Sequence, residues 1–426
     1  MTINEIYKRY RKNPSVETDT RKIKKGDIFF ALKGPLHNGN LYAQMALELG
    51  AAYCIVDEET GIKDERIITV TDSLKTLQAL ACEHRNSFNI PFIAITGSNG
   101  KTTTKELVHA VLSSHFRTST TEGNLNNHIG IPLTILKIKP DTEIAVIEMG
   151  ANHQKEIAAY CNYTMPTHGL ITNCGKAHLE GFGGVEGIKK GKGELFDFLR
   201  DHKGMAFINA DYDYLNDMSK GIENIFWYGS SSHEMLSGKI FNDEAFLQIE
   251  ITKGSIPGII ETQLIGSYNL PNLLAAFAIG KYFGVPDEKI KGAIEAYHPD
   301  NSRSQLLERD GNRIILDAYN ANPSSMKLAV ENLAGMSGST KILILGGMME
   351  LGEESRNEHE MLVAFIKRFQ WHTVVLVGEG FKGIDEQYLH FDDALDAKTW
   401  YQQIKNTGAL VLLKGSRSMQ MEKVID

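Results

Sequence analysis

The run Thr96-Gly97-Ser98-Asn99-Gly100-Lys101-Thr102-Thr103 follows an apolar stretch, Pro91 to Thr96, and opens a segment of helical spacing, Thr102 to His115. These residue types suit a phosphate. Glycines let backbone N–H groups turn toward one anion, and a helix N-terminus adds partial positive charge. Lys101 is spaced to reach the outer phosphates of a nucleotide, and the Thr102 hydroxyl suits Mg²⁺. Only two residues separate Gly97 from Gly100, where GxxxxGK[ST] loops have four. The loop is a TGxxGKT variant, read against the plain alternative of a glycine-rich turn.

Three further residues could work beside it. Glu148 closes the apolar run Glu143 to Met149. Side chains just past strand C-termini line the ligand crevice of open α/β sheets, and a carboxylate there suits Mg²⁺, although a strand-end Glu can also simply meet solvent. His178 follows the next apolar run, Gly169 to Thr172. A lone histidine is more often a satisfied polar group than a metal ligand. Lys192, in Lys189-Lys190-Gly191-Lys192-Gly193-Glu194, has donors but no acceptor while protonated, so it cannot bind a cation as it stands. The plain alternative is a solvated basic helix face. Glu353-Glu354 reads as a solvated helix start, and no Ser–His–Asp spacing stands out.

These residues need a frame. Strand candidates at Asp27 to Leu32 and Tyr53 to Val56, with a helix at Leu41 to Leu49, form a small α/β unit over 1–84, punctuated by loops at 33–35 and 37–39. From 85 to 299, strand candidates (Pro91 to Thr96, Glu143 to Met149, Gly169 to Thr172, Met205 to Asn209) alternate with helices. That alternation predicts a mostly parallel sheet covered on both faces. Residues 225–265 read as an antiparallel extension, and Asn269 to Phe283 and Asp287 to Ala296 as closing helices. Over 300–426, strands at Arg313 to Asp317, Lys341 to Leu345, Thr373 to Val377 and Ala409 to Leu413 predict a Rossmann-like doubly wound unit. The expected fold is α/β in three domains.

Composition sets outer limits. A chain of 426 residues is too long for one small module, and 42% hydrophobic with 23% charged residues excludes broad disorder. Net charge −8 argues against nucleic acid as a partner. Cys54, Cys82, Cys161 and Cys174 form no CxxC pair, so buried thiols in a reducing compartment are expected rather than a metal site. The N-terminus lacks an apolar h-region and no apolar run spans 18 residues, so the expectation is a cytoplasmic protein without a membrane span.

The loop TGSNGKTT, the strand end EMGANH, the segment AHLEGFG and the later KGELF occur in the order seen in the Mur ligases, which the chain resembles. These are ATP-dependent amide ligases of peptidoglycan precursor synthesis. Gly266 to Asn272 (GSYNLPN) resembles the family's GxHNxxN segment, Asp317 to Pro323 (DAYNANP) resembles DDSYNANP, and Lys414 to Arg417 is similar to its KGSR. Gly123 to Gly130 (GNLNNHIG), the YNANP run and Leu345 to Gly352 (LGGMMELG) resemble the branch that adds D-alanyl-D-alanine.

The resemblance implies ATP, two Mg²⁺ ions and an acyl-phosphate intermediate. The carboxylate of a UDP-N-acetylmuramoyl-tripeptide would be activated and then attacked by the amine of D-alanyl-D-alanine. It assigns Lys101, with the loop Thr96 to Thr103, to ATP phosphates, and Thr102 to the first Mg²⁺. Glu148 and His178 go to the second Mg²⁺, with Lys192 carbamylated so that it becomes an anionic oxygen ligand. It places Asn272 and Asn269 at adenine, Arg303 at the phosphates and Asp317 at the ribose. It has Lys414, Ser416 and Arg417 face the cleft, and puts Asp19, Thr20 and Arg21 in the first unit's substrate site. Asn126, Asn127, Asn320 and Asn322 are candidate substrate contacts, since amides pair with both carboxylates and amines; asparagine-rich turns are the alternative. Small-molecule partners and a monomer are expected.

Overall fold

Apolar strands gather the chain into three main sheets. The computed structural model describes residues 1–231, 235–255, 258–299, 302–338, 340–404 and 408–426. The first sheet holds β1 (Val16–Glu17), β2 (Ile28–Phe30), β5 (Tyr53–Val56) and β6 (Ile67–Thr69), in that order and all parallel. Between β2 and β5, where loops are expected, β3 (Lys33–Gly34) pairs with β4 (His37–Asn38) as a short antiparallel hairpin. Two-residue strands give too little alternation to be read from sequence.

The helix Ser73–Asn86 joins this unit to the next. It packs on the helices Gly130–Leu136 and Glu156–Thr164. Arg85 ties it down: its guanidinium donates to Thr164 O at 2.8 Å and Met165 O at 3.0 Å. A boundary at 84/85 therefore falls inside a helix. The boundary at 299/300 abuts residues 300 and 301, which lie outside the described residues.

The second sheet has nine strands: β7 (Phe92–Thr96), β8 (Thr118–Thr120), β9 (Ile144–Glu148), β10 (His168–Ile171), β11 (Met205–Asn209), β12 (Asn224–Gly229), β13 (Leu236–Asn242), β14 (Gln248–Lys253) and β15 (Gly258–Glu261). Their spatial order is β15-β14-β13-β12-β11-β10-β7-β9-β8. Every residue of β7 and β9 is buried, as expected for strands covered on both faces. The antiparallel extension expected over 225–265 is only partly so. β12 pairs parallel with β11 and with β13, and antiparallel pairing begins at β13–β14. Local pattern does not encode strand direction, which depends on the connection.

The third sheet runs β16-β17-β21-β18-β19-β20, with β16 (Gln305–Arg309), β17 (Asn312–Asp317), β18 (Lys341–Gly346), β19 (Thr373–Val377), β20 (Leu389–Phe391) and β21 (Leu410–Lys414). Only β16 is antiparallel to its neighbour. This is the expected α/β architecture. Chain order reverses beside β7, between β9 and β10, and such switch points open a crevice at the strand C-termini. No helix among the described residues is long and apolar enough to cross a membrane. Cys54, Cys161 and Cys174 are buried, Cys82 is partly exposed, and all four are free thiols.

Candidate active site

The phosphate loop leaves the C-terminal end of β7 and enters the helix Lys101–Ser113. Both glycines are required. Gly97 has φ 143°, and a Cβ there would lie 2.0 Å from Thr172 Oγ1. Gly100 has φ 78°, and a Cβ there would meet Asn272 Oδ1 at 2.6 Å. The segment just past β10 supports the loop: the Thr172 hydroxyl donates to Asn99 O at 2.6 Å, and Asn99 N–H donates to Asn173 Oδ1 at 3.1 Å. The Lys101 ammonium folds back onto the loop carbonyls of Gly97 (2.7 Å) and Ser98 (3.0 Å). Burial pushes its pKa down to about 8, against the attraction of Glu148. The loop is thus a cradle of amides with one cation beside it, suited to a polyphosphate.

Glu148, at the end of β9, is 1% exposed. Its Oε1 accepts from the Thr102 hydroxyl at 3.1 Å and from Asn126 Nδ2 at 2.8 Å. Its Oε2 is buried without a hydrogen-bond partner. A buried carboxylate oxygen left bare is costly. A hydroxyl and a carboxylate are hard oxygen donors, so the pair fits Mg²⁺. No three His, Cys, Asp or Glu side chains among the described residues converge as a ready-made metal cluster.

His178 lines the same cleft, but its Nδ1 lies 2.5 Å from Glu350 Oε2, on the loop after β18. Contact with His178 holds the Glu350 carboxyl below its ordinary range. Lys192 is not on a solvated face. It sits 1% exposed on the inner stripe of the helix Val185–Asp201, with Ile188, Leu195, Phe196 and Leu199. Its ammonium donates to Ala151 O at 2.9 Å and lies 4.8 Å from the Phe182 ring centre. Burial, with the Lys101 charge adding to it, drives its pKa down to about 7. A lysine that sheds its proton near neutrality is a nucleophilic amine able to take up CO₂.

The remaining candidates divide. The cleft, about 930 Å³, is lined by Ser98 to Thr103, Asn126, Asn127, Glu148, His178, Asn269, Asn272, Arg303, Asp317, Asn320, Asn322 and Lys414. Asn272 Nδ2 donates to Asn269 Oδ1 at 2.8 Å, and Asn272 Oδ1 accepts from Thr104. Arg303 stacks over Tyr319 at 3.7 Å. Lys414 Nζ pairs with Asp317 at 2.6 Å. Thr96 and Gly97 are buried beneath the loop. Ser416 is 2% exposed and does not line the cleft; its hydroxyl accepts from Met349 N–H at 3.0 Å, tying two loops of the third unit together. Arg417 is exposed and pairs with Glu422 at 3.1 Å. Asp19 caps the turn Thr20–Lys22 and pairs with the exposed Arg21, away from the cleft lining.

Several supports escape sequence reasoning. The Glu148 N–H donates to Thr121 Oγ1 at 3.0 Å, and the fully buried Lys105 donates to Thr121 O at 2.8 Å. Lys105 therefore anchors the segment that seats Glu148. Its signal was visible: Lys105 falls among Thr104, Leu107, Val108 and Val111 on the buried face of its helix. Tyr212 and Tyr214, stacked at 5.5 Å, also line the cleft.

Fold, loop and cleft together define a nucleotide-dependent α/β enzyme. Residues 95–280 match the Mur ligase middle domain and residues 302–417 the Mur ligase, glutamate ligase domain; the chain belongs to the Mur ligase family. It is 34% identical to the UDP-N-acetylmuramoyl-tripeptide--D-alanyl-D-alanine ligase of Bacillus subtilis (strain 168), covering 96% of this chain and 92% of the relative. Among solved structures it is similar to MurF from Acinetobacter baumannii, with TM-score 0.88, 28% identity, and 96% and 92% of the two chains covered. It is also similar to MurF ligase from Thermotoga maritima in complex with ADP, with TM-score 0.86, 28% identity, and 97% and 96% covered.

Proposed function

We propose that this chain joins D-alanyl-D-alanine to UDP-N-acetylmuramoyl-tripeptide at the expense of ATP, giving the UDP-muramoyl-pentapeptide of peptidoglycan synthesis. The observation that carries this reading is the convergence of the Thr96–Thr103 loop, Glu148, His178 and Asp317 on one cleft. It occurs in a chain similar over nearly its whole length to ligases named for that reaction.

The loop amides and Lys101 hold the ATP phosphates, with Arg303 approaching from the third unit. Asn272 and Asn269 read the base and Asp317 the ribose. The first unit, 1–84, holds the UDP moiety through Asp19, Thr20 and Arg21; the second, 85–299, holds ATP; the third, 300–426, completes the site. Asn126, Asn127, Asn320 and Asn322 orient the peptide and dipeptide. Thr102 would hold one Mg²⁺, and Glu148, His178 and a carbamylated Lys192 another; bound there, the ions would neutralise charge between carboxylate and triphosphate. The substrate carboxylate attacks the γ-phosphorus, ADP leaves, and the acyl phosphate is taken by the dipeptide amine, releasing phosphate. Lys101 meets charge that develops on the transferring phosphoryl group. The acyl phosphate is labile to water, so the third unit closes the site. Small-angle scattering should show compaction when an ATP analogue and the tripeptide substrate bind together. The protein acts as a cytoplasmic monomer.

Phosphate release from MgATP with the tripeptide substrate, with and without D-alanyl-D-alanine, tests the reaction. Release that depends on the dipeptide, with a pentapeptide product by mass spectrometry, is expected. Turnover with a single amino acid or with glutamate instead would move the chain to another step of the family.

A further inference from the structure

His178 and Glu350 meet across the junction of the second and third units, and both have left-handed backbones, φ 53° and φ 60°. Non-glycine residues hold that conformation only where their surroundings impose it, and such residues cluster at functional sites. The surroundings here are specific. Gly352, two residues past Glu350, packs so closely that a Cβ would lie 3.2 Å from the Glu180 side chain, two residues past His178. The His178 loop is tied to the third unit at two further points: Lys176 pairs with the buried Glu358 of the helix Ser355–Ile366 at 2.5 Å, and Lys176 N–H donates to Ser324 Oγ, in the first turn of the helix Pro323–Gly335, at 2.9 Å. The 2.5 Å contact of Glu350 Oε2 is to His178 Nδ1. The contact is close but not aligned as a hydrogen bond, and Nδ1 is otherwise buried without a partner. A rotation of the imidazole that turned Nδ1–H onto this carboxylate would leave the lone pair at Nε2, the form a metal takes.

We propose that Glu350 is a positioning residue for the Mg²⁺ site. Reaching in from the third unit, it fixes the tautomer and rotation of His178. The second unit's metal ligand is therefore set only when the third unit is docked. Glu350 touches neither nucleotide nor reacting carboxylate; it acts through the imidazole. The inference rests on the reading of His178 as a metal ligand.

The test is Mn²⁺ binding to the full chain with a non-hydrolysable ATP analogue, followed by electron paramagnetic resonance. His178→Ala identifies the class of Mn²⁺ sites that needs the imidazole. In Glu350→Ala that class should weaken by about 10–100-fold, the usual loss for a partner of a ligating histidine. Metal-free nucleotide affinity and Tm should not change. Glu350→Gln, whose side-chain carbonyl still accepts from Nδ1–H, should recover all but about threefold of the affinity. An unchanged site class in Glu350→Ala, with loss in His178→Ala, would overturn the role of Glu350 and keep His178 as a ligand. If His178→Ala loses no class of sites, the metal reading of His178 fails, and this inference with it. Equal losses in the Gln and Ala variants, with lowered Tm, would reduce Glu350 to an interface residue.

Discussion

Asn322 Nδ2 donates to Asn99 Oδ1 at 2.7 Å, joining the first turn of the helix Pro323–Gly335 to the phosphate loop 223 residues earlier. The same side chain caps its own helix, because Asn322 Oδ1 accepts from Ser325 N–H at 2.9 Å. One amide therefore both starts a helix and holds the third unit to the nucleotide cradle.

These two tasks can be separated. Asn322→Ser keeps a good cap but loses the reach to Asn99, so Tm should hold while kcat/KM for ATP falls by about tenfold, the worth of one hydrogen bond. Asn322→Ala should lose the cap as well, at about 1 kcal/mol of stability. Calorimetry beside steady-state kinetics separates the outcomes; equal Tm losses in both variants would contradict the division.

Glu148→Gln removes a buried charge that lacks a full set of partners in the absence of metal. We expect the metal-free Tm to stay level or rise by about 1–3 °C, since an unsatisfied buried carboxylate is costly. Activity should fall by at least about 10²-fold, because the site loses charge where the reaction needs it. Thermal shift with and without Mg²⁺ and ADP checks both, and the variant should lose the stabilisation that Mg²⁺ adds.

Burial takes Lys192 from an ordinary 10.5 to about 7. Below about pH 7 the amine is protonated folded and unfolded, and the folded chain bears the full cost of a buried charge. Between about pH 7 and 10.5 the unfolded chain holds a proton that the folded amine has shed, so stability rises with pH across that window. In CO₂-free buffer, the Tm advantage of Lys192→Met over the parent should be largest near pH 7 and shrink toward pH 10. Activity of the parent should fall on removal of CO₂ and return with bicarbonate, with a carbamate carbon visible by ¹³C NMR. A parent enzyme indifferent to CO₂ would exclude the carbamate.

His168 gives a pH effect remote from chemistry. Half-buried against Phe207, Tyr282 and Phe283, it has its pKa pushed down to about 4 by desolvation. Between its ordinary 6.5 and about 4, only the unfolded chain takes up the proton, so stability falls as pH falls. His168→Leu should flatten that limb of the Tm–pH curve without altering kcat at pH 7.5.

Much of this was legible in sequence. The runs at Phe92–Thr96, Ile144–Glu148 and Met205–Asn209 are short and apolar, the first two rich in β-branched residues, and they fold as central strands. The glycine spacing of the phosphate loop announced a turn that only glycine can make. Edge elements were not legible: β1, β8, β16 and β20 are short or half-polar, and only pairing defines them. Lys192 had a readable signal, since it falls four residues after Ile188 and four before Phe196 on one helical face. A charged residue on an apolar stripe is either buried for a purpose or misplaced. Glu350 lies in the LGGMMELG run, but nothing in the sequence tied it to His178, 172 positions earlier; only the docking of two sheets brings them together.

The contact of Gly100 with Asn272 has a further consequence. With 2.6 Å between a would-be Cβ and the amide oxygen, the loop proposed for one end of a nucleotide leans on the side chain proposed for the other. On the proposed roles, the two ends of the ligand would be gripped by one piece of structure, not by two adjustable ones. Drift at position 272 is felt at once by the turn at position 100, and neither can be retuned alone. A change of nucleotide at this pocket would therefore call for paired substitutions at positions 100 and 272.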